Sequence, residues 1–133
     1  MKTSTRKKFG VSLLRLGLAG VFLWFGFSQL FDSLSWVGLV PVWAIELSHL
    51  PPAMIVMGNG IFEVVFAGLL AMGFFVRFTS YILGLHLLVI ALDFGLVATG
   101  IRDFGLVIAS FALSLMYTKD KNVLESVRER NII

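Results

Sequence analysis

Four stretches of this chain are long and apolar enough to cross a lipid bilayer, and this feature constrains the fold more than any other. A spanning helix needs about 20 mostly apolar residues, with a range of roughly 17–25. The pattern predicts spans over residues 9–31, 53–76, 78–98 and 101–118. The last is the shortest. Its uncharged part begins at Phe104 and reaches only about 22 Å at 1.5 Å per residue, which draws Arg102 and Asp103 into the outer boundary of the membrane.

Composition agrees with this reading. Hydrophobic residues make up 58% of the 133 and charged residues 14%, with a mean hydropathy of +0.93. A soluble domain has roughly 45–50% and about 25%. A globule of this length has too little interior for so much Leu, Val and Phe, and a disordered chain needs the opposite composition. The bilayer must be part of the solvent, and one membrane domain over residues 1–133 is expected. There is no Cys, so thiol redox, Fe–S and Cys-zinc chemistry cannot belong to this chain. With two His, no metal site is expected. A net charge of +3 is too small to point to nucleic acid.

Lys2, Arg6, Lys7 and Lys8 precede the first span, Arg77 lies between the second and third, and Lys119, Lys121, Arg128 and Arg130 follow the fourth. The loop after the first span carries Asp32 and Glu46 and no base. Lys and Arg favour the cytoplasmic side, so both termini are expected inside. The N-terminal apolar run is too long for a signal peptide and reads as an uncleaved helix. Residues 32–52 are too apolar for a solvated loop. Trp36 and Trp43, seven apart, would share the face of a short interfacial helix broken at Pro41, serving as an aromatic anchor or as a lid over an outer cavity. Residues 119–133 read as a cytoplasmic amphipathic tail, with Asn122 and Glu125 as a capping pair.

Polar residues inside a span are costly, at about 2.5–3.5 kcal/mol for a charge, so their direction matters. At 100° per residue, Arg15 aligns with Ala19, Phe22, Gly26 and Gln29. Asn59, Glu63, Ala67 and Leu70 share a face that continues to Arg77. Thr79, His86 and Asp93 share another, and so do Asp103, Ser110, Ser114 and Tyr117. The solution is an all-α, integral membrane four-helix bundle with the stripes turned inward. Gly17, Gly20, Gly26 and Gly68 would let helices approach closely. Counting rise from the cytoplasmic side places Arg15 and His86 about 9–11 Å up, and Glu63, Asp93, Arg102 and Asp103 roughly 20–24 Å up. Three acids beside one Arg cannot all be ionised cheaply at low dielectric. Pairings of Arg102 with Asp93 or Glu63, and of Arg15 with Glu63, are expected. The same network could instead be purely structural, fixing helix register without any ligand.

Three motifs carry a family resemblance. The run from Leu14 to Phe31, with Arg15, Gly17, Gly20 and the ending Gly26-Phe27-Ser28-Gln29-Leu30, resembles the first helix of DoxX-like membrane proteins. Asn59-Gly60-Ile61-Phe62-Glu63, followed later by Arg77, resembles their Gly-x-x-Glu second helix, and Arg102-Asp103-Phe104-Gly105 their step into the fourth. The likeness spans residues 12 to 120. It implies a four-helix protein of the prokaryotic cytoplasmic membrane, associated with quinone-linked oxidation or oxidative stress. By motif, Arg15, Glu63, Arg77, Arg102 and Asp103 correspond to the family's polar residues. Many relatives carry a Lys where Gln29 stands.

The leading expectation is therefore an outer-half pocket for a quinone or lipid. Glu63 and Asp103 would exchange protons, with Arg15, Gln29, Asn59, His86, Asp93 and Arg102 as binding residues. With no covalent cofactor of its own, the chain would serve a partner redox protein or subunit, and a homo-oligomer is compatible with four short helices. The alternatives are a scaffold or assembly factor with a structural network, and a small proton or solute carrier, for which Gly58-Asn59-Gly60 is the nearest thing to a broken helix.

Overall fold

In a computed structural model, residues 2–117 are described and are helical apart from short connections. Helix α1 is Thr3–Phe31. A 3-10 helix, Ser33–Leu39, and a short helix α2, Val42–Ser48, form the connection to α3, Pro52–Met72. Helices α4, Val76–Phe94, and α5, Ala98–Met116, complete the bundle. The four long helices are each long and apolar enough to cross a membrane. Helices satisfy their own backbone hydrogen bonds, which is what hydrocarbon demands of a spanning segment. The expected all-helical, four-span architecture is therefore present. The tail from 119 to 133, with its Asn122–Glu125 pair, lies outside the described residues.

Two boundaries differ from expectation, for local reasons. Helix α3 stops at Met72 because Gly73 takes the left-handed conformation, φ 83°, where glycine has no Cβ to clash. The Gly73 and Phe74 amides then bond back to the Leu70 and Leu69 carbonyls. Phe75, also left-handed at φ 50°, turns the chain into α4, so Arg77 belongs to α4 and does not continue the α3 stripe. At the other end, Pro41 separates the 3-10 helix from α2. It has no N–H to continue a ladder, so Trp36 and Trp43 lie on two elements and not on one helical face.

Packing is organised in pairs. Helix α1 runs along α3 and α4 along α5, and the two pairs touch each other more sparingly. The buried side of α1 is Leu18, Ala19, Phe22, Gly26 and Gln29, and that of α3 is Val56, Gly60, Glu63, Ala67 and Leu70. Both follow the predicted stripes. Gly26 and Gly60 are the contact point. A Cβ on Gly60 would lie 2.9 Å from the Gly26 carbonyl oxygen, and one on Gly26 would lie 2.7 Å from Val64 Cγ2. Gly17, Gly20 and Gly68 have nothing within 4 Å, so three of the four glycines expected at helix contacts are not there. Helix α3 runs unbroken through Gly58-Asn59-Gly60, which removes the sequence basis for a carrier-like helix break.

The α4–α5 pair closes through small polar groups. Gly84 admits the Phe111 ring, whose edge would be 2.9 Å from an added Cβ. At the Arg77 end, Ser114 Oγ donates to the Arg77 carbonyl at 2.7 Å, and Arg77 Nε donates to the Ser114 carbonyl at 3.3 Å. The Ser80 and Ser110 hydroxyls donate to carbonyls one turn back, at Val76 and Leu106. These hydroxyls are satisfied within their own helices, as polar groups facing an apolar interior must be.

Candidate functional site

The polar centre of the bundle is built by α1, α3 and α4. Asn59 and Glu63 are four apart on α3, and hence stacked on one face. Asn59 Nδ2 donates to Gln29 Oε1 at 2.7 Å and reaches Glu63 Oε1 at 3.4 Å. His86 Nε2 stands 3.5 Å from the same Glu63 Oε1, and Phe62 lies against the His86 ring with centroids 4.5 Å apart. Glu63 is 3% exposed, which makes its bonding state decisive. Its Oε2 has no hydrogen-bond partner, and neither does His86 Nε2, whose approach to Glu63 is within ion-pair range but lacks hydrogen-bond geometry. Buried polar groups in native folds are bonded almost without exception. An orphaned carboxylate oxygen and an orphaned imidazole nitrogen on neighbouring side chains therefore set this pair apart from the other buried polar groups.

A cavity of about 320 Å³ opens beside them. Gln29, Asn59 and His86 supply polar wall. Val56, Val89, Ile90 and Phe94 supply apolar wall, and Trp36, Pro41, Trp43 and Ala44 of the interfacial segment cover it. The cover is tied down at two points. Trp36 Nε1 donates to Ser28 Oγ on α1 at 3.0 Å, and Trp43 Nε1 donates to Asp93 Oδ1 on α4 at 3.2 Å. The segment thus has the placement of a lid, one of its two expected roles.

The expected site residues divide into two groups. Gln29, Asn59, His86 and Asp93 line the cavity, and Glu63 stands immediately behind Asn59 and His86. Arg15, Arg102 and Asp103 are not among the lining residues. Arg15 does not pair with Glu63. Its Nη1 donates to the Leu70 and Ala71 carbonyls at 2.8 and 2.6 Å, capping the last turn of α3, where carbonyls have no intrahelical donor. Arg102 pairs with neither Asp93 nor Glu63. Its Nε lies 3.5 Å from Asp103 Oδ1, its own neighbour in sequence, and its side chain is 60% exposed. Asp93 is exposed and held by Trp43, so it does not share the buried level of Glu63.

Depth also changes. With α3 ending at Met72 and α4 starting at Val76, Glu63 and His86 each sit about 14–15 Å from the α3–α4 turn. The expectation of an inner His86 and an outer Glu63 is replaced by a single level where the two meet. No group of three or more His, Cys, Asp or Glu suited to a metal occurs among the described residues.

Comparison with known proteins gives one match. A family model described as DoxX matches residues 10–96, more than half the chain, from α1 to the end of α4. The matched stretch contains the whole Gln29–Asn59–Glu63–His86 constellation and stops short of Arg102 and Asp103. No curated protein matches, and no solved structure matches.

Proposed function

This chain belongs to the DoxX family, and from that premise we propose that it binds a quinone headgroup in the Trp-roofed cavity as the membrane subunit of a redox or oxidative-stress system. The observation that carries the reading is the orphaned Glu63–His86 pair, with His86 in the wall of a cavity large enough for one ring and Glu63 directly behind it. Ligand pockets run from about 300 to 1,000 Å³, with mostly apolar walls and a few convergent polar groups. At about 320 Å³ this cavity suits a headgroup, leaving an isoprenoid tail to the surrounding lipid.

A bound quinone would supply a two-electron, two-proton couple, with the electrons exchanged with a partner redox protein. The chain's own residues manage the proton. His86 lines the cavity, and Glu63 stands behind it with the imidazole as its nearest basic side chain among the described residues. At 3.5 Å the two stand just outside hydrogen-bond reach, and a small side-chain adjustment or one bridging water would give the contact that an acid–base relay needs. Asn59 fixes Glu63 Oε1 and is fixed by Gln29. An amide at position 29 lets Asn59 donate, which a Lys there could not. Asp103, expected to share the proton role, is assigned no part in it. Our reading puts the chain in a prokaryotic cytoplasmic membrane by analogy with its family, with both termini inside, and its distribution of Lys and Arg supports that orientation.

The test is organic extraction of mildly purified protein, followed by mass spectrometry. Near-stoichiometric quinone in the wild type, lost in folded Glu63→Gln and His86→Phe, is the expected result. Quinone no more abundant than in an unrelated membrane protein prepared alongside defeats the reading and favours a scaffold or assembly factor whose polar network is structural.

A further inference from the structure

The cavity under the Trp roof has a side as well as a top. Its α3 wall is Ile55, Val56 and Asn59, and its α4 wall runs from His86 through Val89 and Ile90 to Asp93 and Phe94. Each set repeats at three or four residues, so each is one face of its helix, and the two faces meet across the α3–α4 seam. Val89 lines the cavity and is also 50% exposed. On a spanning helix that exposure is to acyl chains, so the cavity reaches the lipid at this point. From this placement we infer that the cavity takes the head of a chain-bearing amphiphile, which enters sideways from the bilayer and leaves its hydrocarbon chain in the α3–α4 seam, between Ile55 and Val89. The inference rests on the quinone reading above and adds the path taken by the rest of the molecule.

Packing explains why the opening falls on this seam. Helices α1 and α3 are locked at Gly26 and Gly60, and α4 and α5 at Gly84, which admits the Phe111 ring. These close approaches lie within the pairs, whereas the pairs touch each other more sparingly. Toward the α3–α4 turn the seam is filled. Phe62 lies against the His86 ring, and Ala67, Leu70 and Leu83 beyond it are fully buried. At the other end the roof is bonded to α1 and α4 through Trp36 and Trp43. Between these two stops the α4 wall from His86 to Phe94 is about 12 Å long at 1.5 Å per residue.

Polarity is graded from the back of the cavity to this side opening. Gln29 of α1 is buried, Asn59 and His86 are half-buried, and Val89 at the front is half-exposed. Polar oxygens of a head are matched at the back and hydrocarbon at the front, which orients an amphiphile with its head inward. Lipid tails are as apolar as Leu, so a chain that moves from the bilayer into the seam exchanges one hydrocarbon surrounding for another. A water-soluble molecule has no such path through the acyl chains.

The experiment uses the full chain in nanodiscs, carrying Trp24→Phe because that indole is 65% exposed and would report quinone dissolved in the lipid. Saturable quenching of the roof indoles, Trp36 and Trp43, reads the binding of two probes, a dimethoxy-methyl-benzoquinone without a side chain and its decyl derivative. Val89→Phe narrows the seam from α4 and Ile55→Phe from α3, so the reading does not depend on one variant folding. Leu92→Phe adds similar bulk at an exposed position of α4 outside the cavity lining. Val89→Phe and Ile55→Phe should each weaken the decyl probe on the order of tenfold and the chainless probe by less than about twofold, with Leu92→Phe changing neither. If the two seam variants weaken both probes equally, or weaken neither, the sideways path is refuted while the quinone site stands. Saturable quenching by neither probe before any seam substitution overturns this inference and the quinone reading together.

Discussion

Replacing Gly60 by Ala adds one methyl group at the tightest point between α1 and α3. The new Cβ would lie 2.9 Å from the Gly26 carbonyl oxygen and 3.1 Å from both Gln29 Cβ and Leu30 Cγ. Two of these atoms are backbone or close to it, so the strain cannot be relieved by rotating a side chain, and the helices must part. Overpacking of this kind costs about 1–3 kcal/mol. Against it stands the intrinsic gain of Gly to Ala in a helix, up to about 1 kcal/mol. Because the closest contact is a backbone oxygen, the upper part of that range, about 2–3 kcal/mol, applies, and the balance is a loss of roughly 1–2 kcal/mol. Gly68 provides the control on the same helix. It has nothing within 4 Å of its Cβ direction, so Gly68→Ala keeps the propensity gain without the clash. In one detergent, by thermal melting or by denaturant titration of helicity, Gly60→Ala should be clearly less stable than wild type and Gly68→Ala at least as stable. If Gly60→Ala melts at or above Gly68→Ala, the close approach of α1 and α3 is wrong, and with it the register that brings Gln29 to Asn59.

Two further outcomes follow from bonds made across helices. Arg15→Met keeps the aliphatic packing but removes two charge-assisted bonds to the end of α3. A loss of about 2–3 kcal/mol is expected, read as a lower melting temperature, and a melt unchanged from wild type would show that Arg15 is not a cap. Gln29→Leu leaves Asn59 Nδ2 with only its long contact to Glu63, and Asn59→Leu leaves Gln29 unpaired. Each single variant should cost about 1–2 kcal/mol, whereas the double variant should recover part of the sum. A double-mutant cycle with coupling near zero would refute the bond, since contacting residues couple by about 0.5–3 kcal/mol and intramembrane hydrogen bonds by about 0.6 on average.

The long-range pattern of this fold was legible in the sequence because the bilayer makes it so. Apolar length gave the four spans, and angular alignment gave the buried faces of α1 and α3, including Gly26, Gln29 and Glu63. What could not be read was set by a few backbone events. Left-handed Gly73 and Phe75 end α3 four residues early, and that shift is what brings His86 level with Glu63. Arg15 was expected to seek an acid, but its acceptors are main-chain carbonyls, which leave no mark in a sequence. Gly60 was not among the glycines expected at helix contacts although its role is contact, because only register shows which glycine faces a neighbour. Asp93 was placed with the buried acids since its stripe points inward on average. At the end of α4 that stripe emerges under Trp43.

The roof of the upper cavity is bonded to one helix of each pair, through Trp36 to Ser28 on α1 and Trp43 to Asp93 on α4. A molecule that entered by lifting that roof would break one of these bonds, and the bond could re-form once the roof closed again. An interaction present at both ends of a process drops out of the equilibrium and stays only in the barrier. For a ligand entering by that route the two indole hydrogen bonds would act on residence time more than on affinity, in keeping with the general rule that related complexes differ mostly in how fast they come apart.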